Sequence, residues 1–514
     1  MEAAKRVAKN TGILYARMAI TVFISLYSTR LILAALGVAD FGLFNVVGGV
    51  ISMLGFLNSS MAGATQRFIS FALGSGDLEK VKRIFNMSSL LHWGIAVLVL
   101  FLLEGAGYFF FHGILNIAPD RLEVAKLIYQ FMVISTLFTV ISVPYEAVIT
   151  SHENMLVYAV MGVIEAFLKL GIAFYITYSG MDSLVMYGIL MAALSILLLI
   201  IKRIYCHRVY EECQLQIRHY YDKLLLKEMS GFASWSLLGS ATSMGAFYGQ
   251  TVVLNMFFGT LVNSAQSIAS QISGQLGVFA ATLNKVINPL IEKSEGAKDR
   301  EMVFLAVFKG TKISFYLLSF LYVPFLLEMP FILKIWLNNV PQYTITFCRM
   351  LLLRNLIEQL YIPMMNAIGA EGNIKLFQIV NSVLNLMPIF ASYLFFYFGY
   401  PPYYLYSSFF IFSLLQLFLV LYFSKINLNF PVFDFYKYVI EKSILPFLIS
   451  IIIAFATSFF INSSFLQLFA VTSVGIISFL LSIYFVGLDN FEKDFIKKSF
   501  LKIIISSNIK MKIN

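Results

Sequence analysis

The sequence predicts an all-α polytopic membrane protein of about 14 transmembrane helices. They are expected as two six-helix lobes in parallel pseudo-repeat around a central cavity, followed by two C-terminal helices. Three observations predict this class. First, 59% of the 514 residues are apolar and 12% charged, against roughly 45–50% and 25% in soluble domains. With a mean hydropathy of +0.82, a water-soluble particle could not bury the apolar surface, so part of the solvent must be hydrocarbon. Second, apolar windows recur, each long enough to span a hydrocarbon core of about 30 Å as a helix. Third, the first six windows are repeated by the next six at an offset of about 220 residues, the signature of an internal duplication.

The N-terminus carries Lys5, Arg6 and Lys9 before an apolar run, as a signal peptide would. The run from Gly12 to Leu36 is too long for such a peptide and no A-x-A site follows, so it is read as a retained first span. Further spans are expected near 41–65, 84–112, 125–149, 155–178 and 183–201. The polar segment 202–231 interrupts the series, which resumes near 232–258, 261–284, 303–327, 344–368, 374–398 and 403–424. Two more follow at 444–461 and 465–486, before a Lys-rich tail. The expected organisation is therefore an N-terminal lobe over 1–201, a cytoplasmic amphipathic connector over 202–231 and a second lobe over 232–424. Residues 425–514 then supply the two extra helices and a basic cytoplasmic tail. A β-barrel would show short segments alternating apolar and polar residues, which these runs do not.

Orientation follows from Lys and Arg. With a cytoplasmic N-terminus, 27 of the 37 lie in cytoplasmic segments, and only Arg121, Lys126 and Lys334 lie opposite. Both termini are expected on the cytoplasmic side. The outer loops are short, which disfavours a membrane glycan polymerase or ligase. No phosphate-cradling Gly-rich loop, H-E-x-x-H or nucleophile elbow is present, so no enzyme is expected. Cys206, Cys213 and Cys348 are too few for a disulfide framework. Cys206-His207, Cys213 and His219 fit no standard zinc spacing, so neither metal nor cofactor is expected. The net charge of +10 is read as membrane topology rather than nucleic-acid binding, and the connector as a segment lying on the anionic inner leaflet.

The duplication is clearest late in the fourth span of each set. Pro144-Tyr145-Glu146-Ala147-Val148-Ile149 leads to Asn154, and Pro363-Met364-Met365-Asn366-Ala367-Ile368 leads to Asn373. Gly76-Asp77-Leu78-Glu79-Lys80 falls opposite Gly296-Ala297-Lys298-Asp299-Arg300. Six spans is an even number, so the copies share one orientation and suit alternating access.

Ionisable groups within spans are costly and mark interiors or pathways. Arg17 and Arg349 lie near span ends, where snorkelling accounts for them. Glu104 and Glu146 are further candidates. Glu165–Lys169 and Arg354–Glu358 are i,i+4 pairs near the midplane: each is either a self-neutralised structural pair or a pair lining a cavity for a charged substrate or coupling ion. Arg30 has no partner four residues away and is the first candidate for an anionic ligand. Arg67, beside Gln66, is the next, set against a positive-inside anchor. Ser267, Ser270, Ser273, Gly274 and Gly277 read as close helix packing.

The chain resembles the Wzx-type O-antigen flippases of the multidrug/oligosaccharidyl-lipid/polysaccharide exporter superfamily. The resemblance rests on Ser25-Leu26-Tyr27-Ser28-Thr29-Arg30, Leu36-Gly37-Val38-Ala39-Asp40-Phe41-Gly42, Asn58-Ser59-Ser60 through Thr65-Gln66-Arg67-Phe68, and the loop from Gly74 to Lys82. It implies a two-lobed transporter fold and an undecaprenyl-diphosphate-linked oligosaccharide moved from inner to outer leaflet. It also implies the bacterial cytoplasmic membrane, with a glycan polymerase and assembly machinery as partners beside the lipid bilayer. Substrate contacts are expected from Arg30, Arg67, Arg17, Lys169 and Arg354, with Glu165 and Glu358 as coupling or charge-pair residues. Two alternatives stay open: a cation-coupled multidrug exporter of the same fold, and a membrane-embedded glycan polymerase or ligase.

Overall fold

A computed structural model describes residues 2–53, 55–111, 121–178, 180, 182–337, 339–461, 464–490 and 492–494. The tail beyond 494 and the side chains of Asn58 and Ser59 lie outside the described residues. The described chain is helical throughout, with no strand among the described residues. Among the described residues, eleven helices are long and apolar enough to cross a membrane.

The first half comprises α1 (Glu2–Met53), α2 (Gly55–Ser75), α3 (Leu78–Phe109), α4 (Leu122–Ser151), α5 (Met155–Tyr178) and α6 (Ser183–Val209). A connector with α7 (Ile217–Tyr220) leads to α8 (Lys223–Gly296), α9 (Arg300–Leu337), α10 (Thr344–Gln359), α11 (Ile362–Glu371), α12 (Lys375–Tyr397) and α13 (Tyr404–Leu428). α14 (Val432–Phe435), α15 (Glu441–Ser458) and α16 (Ser464–Ser482) complete the described chain. The expected count of spans exceeds eleven for three identifiable reasons. The seventh and eighth windows form one helix, α8, broken at Gly259. The second is divided between the end of α1 and the polar α2, and the tenth is split into α10 and α11 just before Pro363, whose ring and missing N–H stop a helix.

The duplication is written into the backbone. Gly37 and Gly259 both take φ 74° at helix breaks, a conformation that costs glycine little and other residues more. Gly76 pairs with Lys298 (φ 73° and 58°), and Glu153 with Gly372 (φ 56° and 107°). The first two pairs are 222 residues apart and the third 219, so the second copy is three residues shorter between these turns. The caps repeat too: Asp77 accepts from the Lys80 amide at 2.9 Å and Asp299 from the Met302 amide at 3.0 Å.

By packing, the chain forms two compact units. Unit 1 comprises Met1–Phe247, Thr282–Ala306 and Asn366–Leu386; unit 2 comprises Tyr248–Ala281, Val307–Met365 and Met387–Asn514. Segments 282–306 and 366–386, assigned by sequence to the second lobe, thus pack with unit 1. In unit 1, α4 packs against α6 and α1 against α5. A core of Ile69, Ile84, Phe85, Tyr145, Val148 and Met229 gathers α2, α3, α4 and the start of α8. The end of α2 meets the end of α8 without space for side chains. A Cβ on Gly74 would lie 1.9 Å from the Lys293 carbonyl oxygen, and one on Gly296 2.0 Å from that of Phe71. These residues are again 222 apart, so the crossing is a self-matching contact between duplicated segments. In unit 2, α10 packs on α13 and α15 on α16.

Candidate functional site

Charged side chains of unit 1 converge where α1, α4, α5, α6 and the end of α8 meet. Arg17 of α1 stacks over the Tyr158 ring of α5 at 4.4 Å, a contact that stabilises a cation away from bulk water. Gly162, one turn along α5, gives it room: a Cβ there would sit 2.2 Å from the Arg17 Nε. That Nε is buried and has no hydrogen-bond partner. The Tyr158 hydroxyl accepts from the Lys285 ammonium, which lies 3.5 Å from one Glu146 oxygen, while Lys202 lies 3.1 Å from the other. Two turns along the chain, at the end of α4, Glu153 accepts from Arg6 at 2.7 Å and Lys293 at 3.1 Å.

Four cations thus contact two carboxylates and Arg17 adds a fifth over Tyr158, while Glu292, which attracts Lys293, and Glu212, bonded to His152, reduce the local excess of positive charge. The Glu153 side chain is only 4% exposed, so two cations are needed to offset its desolvation. Beside this cluster His152 and Glu212 make a 2.5 Å contact. Burial raises the Glu212 carboxyl, but the His152 hydrogen bond, a backbone amide and the attraction of His152 together hold the group below the usual carboxylate value. On the side that the charge count assigns outward, Arg121 bridges Asp40 and Asp182. Burial opposes ionisation of Asp182, yet Arg121 and two backbone amides keep it below its ordinary value.

The sequence-selected residues do not form one site. Arg17 lies beside the cluster, stacked on Tyr158. Arg30 is exposed, on the helix face that also carries Phe23, Leu26 and Leu33, and makes no hydrogen bond or ion pair among the described residues. Arg67 is 8% exposed and donates through Nε and Nη2 to the Ala370 carbonyl at 3.2 and 2.8 Å. Lys169 pairs with Glu165 and Arg354 with Glu358, each at 2.7 Å. Arg354 also stacks over Phe409 at 4.7 Å. Ser273 accepts from Asn355 at 2.7 Å, so it is a polar contact as well as a small packing residue.

Arg349 corrects the snorkelling reading. It donates to the carbonyls of Leu326 and Leu327 at 2.7 and 3.1 Å. Pro330 lacks the amide that would otherwise bond Leu326, so Arg349 supplies the missing donor. Sequence reasoning passed over Lys202, Lys285 and Tyr158 as site residues, since each looks like an ordinary loop or interface residue alone. The available signal was Glu146, a span carboxylate with no cation one turn away.

No family model and no curated protein matches the chain. Solved structures do. A MATE transporter in complex with MaD3S aligns with a TM-score of 0.71 at 13% identity, covering 83% of this chain and 96% of that one. A MATE in its bent conformation gives 0.72 at 14% identity, covering 84% and 96%. A MOP superfamily transporter from Pyrococcus furiosus Vc1 (DSM3638), described as having a binding pocket of reverse polarity that suggests a different function, gives 0.69 at 13%, covering 83% and 96%. At such identities the likeness concerns architecture: this chain has the fold of the MATE transporters of the MOP superfamily.

Proposed function

We propose that the chain is a flippase moving an undecaprenyl-diphosphate-linked oligosaccharide from the inner to the outer leaflet of the bacterial cytoplasmic membrane. It works by alternating access between two six-helix lobes, with both termini cytoplasmic and a proton or sodium gradient as the candidate driving force. One observation carries this reading: the positive excess around Glu146 and Glu153, including an Arg17 Nε with no acceptor. A diphosphate leaving water loses several kcal/mol of hydration per charge (roughly, by the cost of burying an ion) unless cations replace it. Arg17, Lys202 and Lys285 are proposed to receive the diphosphate, and exposed Arg30 to contact it further along α1. Lys169 and Arg354 face their own carboxylates and contribute less.

A cation-coupled drug exporter would call for a carboxylate free to meet a cationic drug. Glu146 and Glu153 are each held by two cations and Asp40 by Arg121, whereas Glu104 of α3 accepts from the neutral Gln130 at 3.2 Å and pairs with no cation among the described residues. The reverse-polarity pocket described for the Pyrococcus furiosus protein supports treating charge sign as the feature that separates functions on this fold. The test is deletion of the gene followed by measurement of lipid-linked glycan in each leaflet. Accumulation on the cytoplasmic leaflet is expected, restored by wild type but not by Arg30→Ala or Lys285→Gln at equal membrane abundance. Unchanged glycan export together with new drug sensitivity would establish the exporter instead, and export by the Arg30→Ala protein would remove Arg30 from the mechanism.

A further inference from the structure

A charged cavity lies in unit 1, and none of the residues of the Glu146 cluster lines it. Its volume is about 420 Å³, within the range of small-ligand sites, and its walls come from the end of α2, the start of α8 and the turn before α12. Arg67, Lys227 and Lys375 line it against a single lining carboxylate, Glu228, leaving the wall net positive. Behind the wall, Glu292, Glu371 and Glu295 also attract Arg67; of these Glu295 is paired with Arg300 at 2.7 Å and Glu292 accepts from Gln66 at 3.4 Å.

Arg67 is held rigidly. Its Nε and Nη2 are fixed on the Ala370 carbonyl, and its guanidinium lies 4.7 to 5.1 Å from the rings of Phe68, Phe71 and Phe232. Its Nη1 has no acceptor among the described residues. The turn at Gly372 takes φ +107°, and a Cβ there would fall 2.5 Å from the Arg67 Nη2. Backbone and space both select glycine where the guanidinium passes. Lys375 sits 5.5 Å over the ring of Trp235, which orders a long side chain at the cavity wall.

The rim is apolar. Leu224 is 81% exposed and Leu376, next to Lys375, 62%. The charge count places both segments at the cytoplasmic end, where headgroups meet acyl chains. Cations beside exposed leucines and a Trp match a ligand with a phosphate head and a hydrocarbon tail, since basic pockets between helices on this side recognise anionic headgroups. We propose that this cavity binds the phosphate headgroup of an anionic lipid of the cytoplasmic leaflet, at a site separate from the one proposed for transport.

The test uses the full-length protein in phosphatidylcholine nanodiscs containing a minor fraction of phosphatidylglycerol, with retained lipid counted by native mass spectrometry. Retention of phosphatidylglycerol over phosphatidylcholine is expected. The Lys227→Gln/Lys375→Gln protein should bind it roughly twenty-fivefold more weakly, since each lysine near an anionic headgroup contributes about fivefold. The Lys227→Arg/Lys375→Arg protein should regain binding. Equal retention by the Gln protein, no preference over phosphatidylcholine, or failure of the Arg protein to recover would overturn the proposal. Pyrophosphate binding as tightly as the lipid would make this a site for free phosphate and would equally remove the lipid.

Discussion

Glu165–Lys169 and Arg354–Glu358 have the same spacing, the same charge composition and nearly identical contact distances, yet they occupy different environments. The first pair is 37% and 43% exposed along α5. The second is 23% and 24% exposed, with Arg354 over Phe409 and the adjacent Asn355 bonded to Ser273 and Tyr322. The helix repeat alone builds both pairs; packing decides what each is worth. The Glu146 cluster extends the contrast, because its cations come from α6 and α8 rather than from the same helix. A pair closed within one helix is already neutral wherever that helix packs. A cluster assembled from distant segments exists only when those segments meet.

The contrast predicts a graded series. Glu146→Ala should have the largest effect, because Lys202 and Lys285 are then left facing each other. Breaking a buried pair costs about 3–5 kcal/mol, and partial exposure of these groups reduces that to roughly 2. The expected result is a clear drop in the melting temperature of the purified protein, with Lys285→Met added in the same chain recovering part of it. Glu358→Ala should follow, at about 1 kcal/mol, since Arg354 keeps its ring contact but loses its carboxylate. A melting temperature indistinguishable from wild type would place that pair with the exposed one.

A third comparison concerns Glu492, which accepts from Lys309 and Lys312 at 2.7 and 2.8 Å and exchanges hydrogen bonds with Asp489. Burial pushes the Glu492 carboxyl up, but the two lysines and the Asp489 amide together hold it below its ordinary 4.5. A depressed carboxyl contributes stability that is complete above the unfolded value and is lost as pH falls through the folded one. Thermal stability should therefore decline below pH 4.5, and less steeply in Glu492→Gln. The smallest effect is expected for Glu165→Gln, within about 0.5 kcal/mol, as for other exposed pairs. A large loss there would show that exposure fails to rank these pairs.

Much of the fold was legible because helix spans and repeats are local properties. Apolar runs announced the spans; Pro363 marks the break between α10 and α11, whereas α4 runs unbroken through its counterpart Pro144. The left-handed turns at Glu153 and Lys298 were not legible, because neither residue type marks such a turn; only alignment with Gly372 and Gly76 exposes them. Of the site, Arg17, Arg67 and Glu146 were visible as unusual charges, while their surroundings were not.

The sequence by itself determined that this chain lives in hydrocarbon, crosses it repeatedly, repeats its first six spans and closes two ion pairs within single helices. Each of these depends on residues within a turn or a span of one another, or on a register that survives duplication. Only the tertiary structure decided that Glu146 meets Lys285 across 139 residues, that Arg67 binds the Ala370 carbonyl across 303, and that Arg349 repairs the backbone left open by Pro330. Such contacts depend on where helices cross, and no local spacing encodes that; a charge in a membrane finds its partner only once the helices have packed.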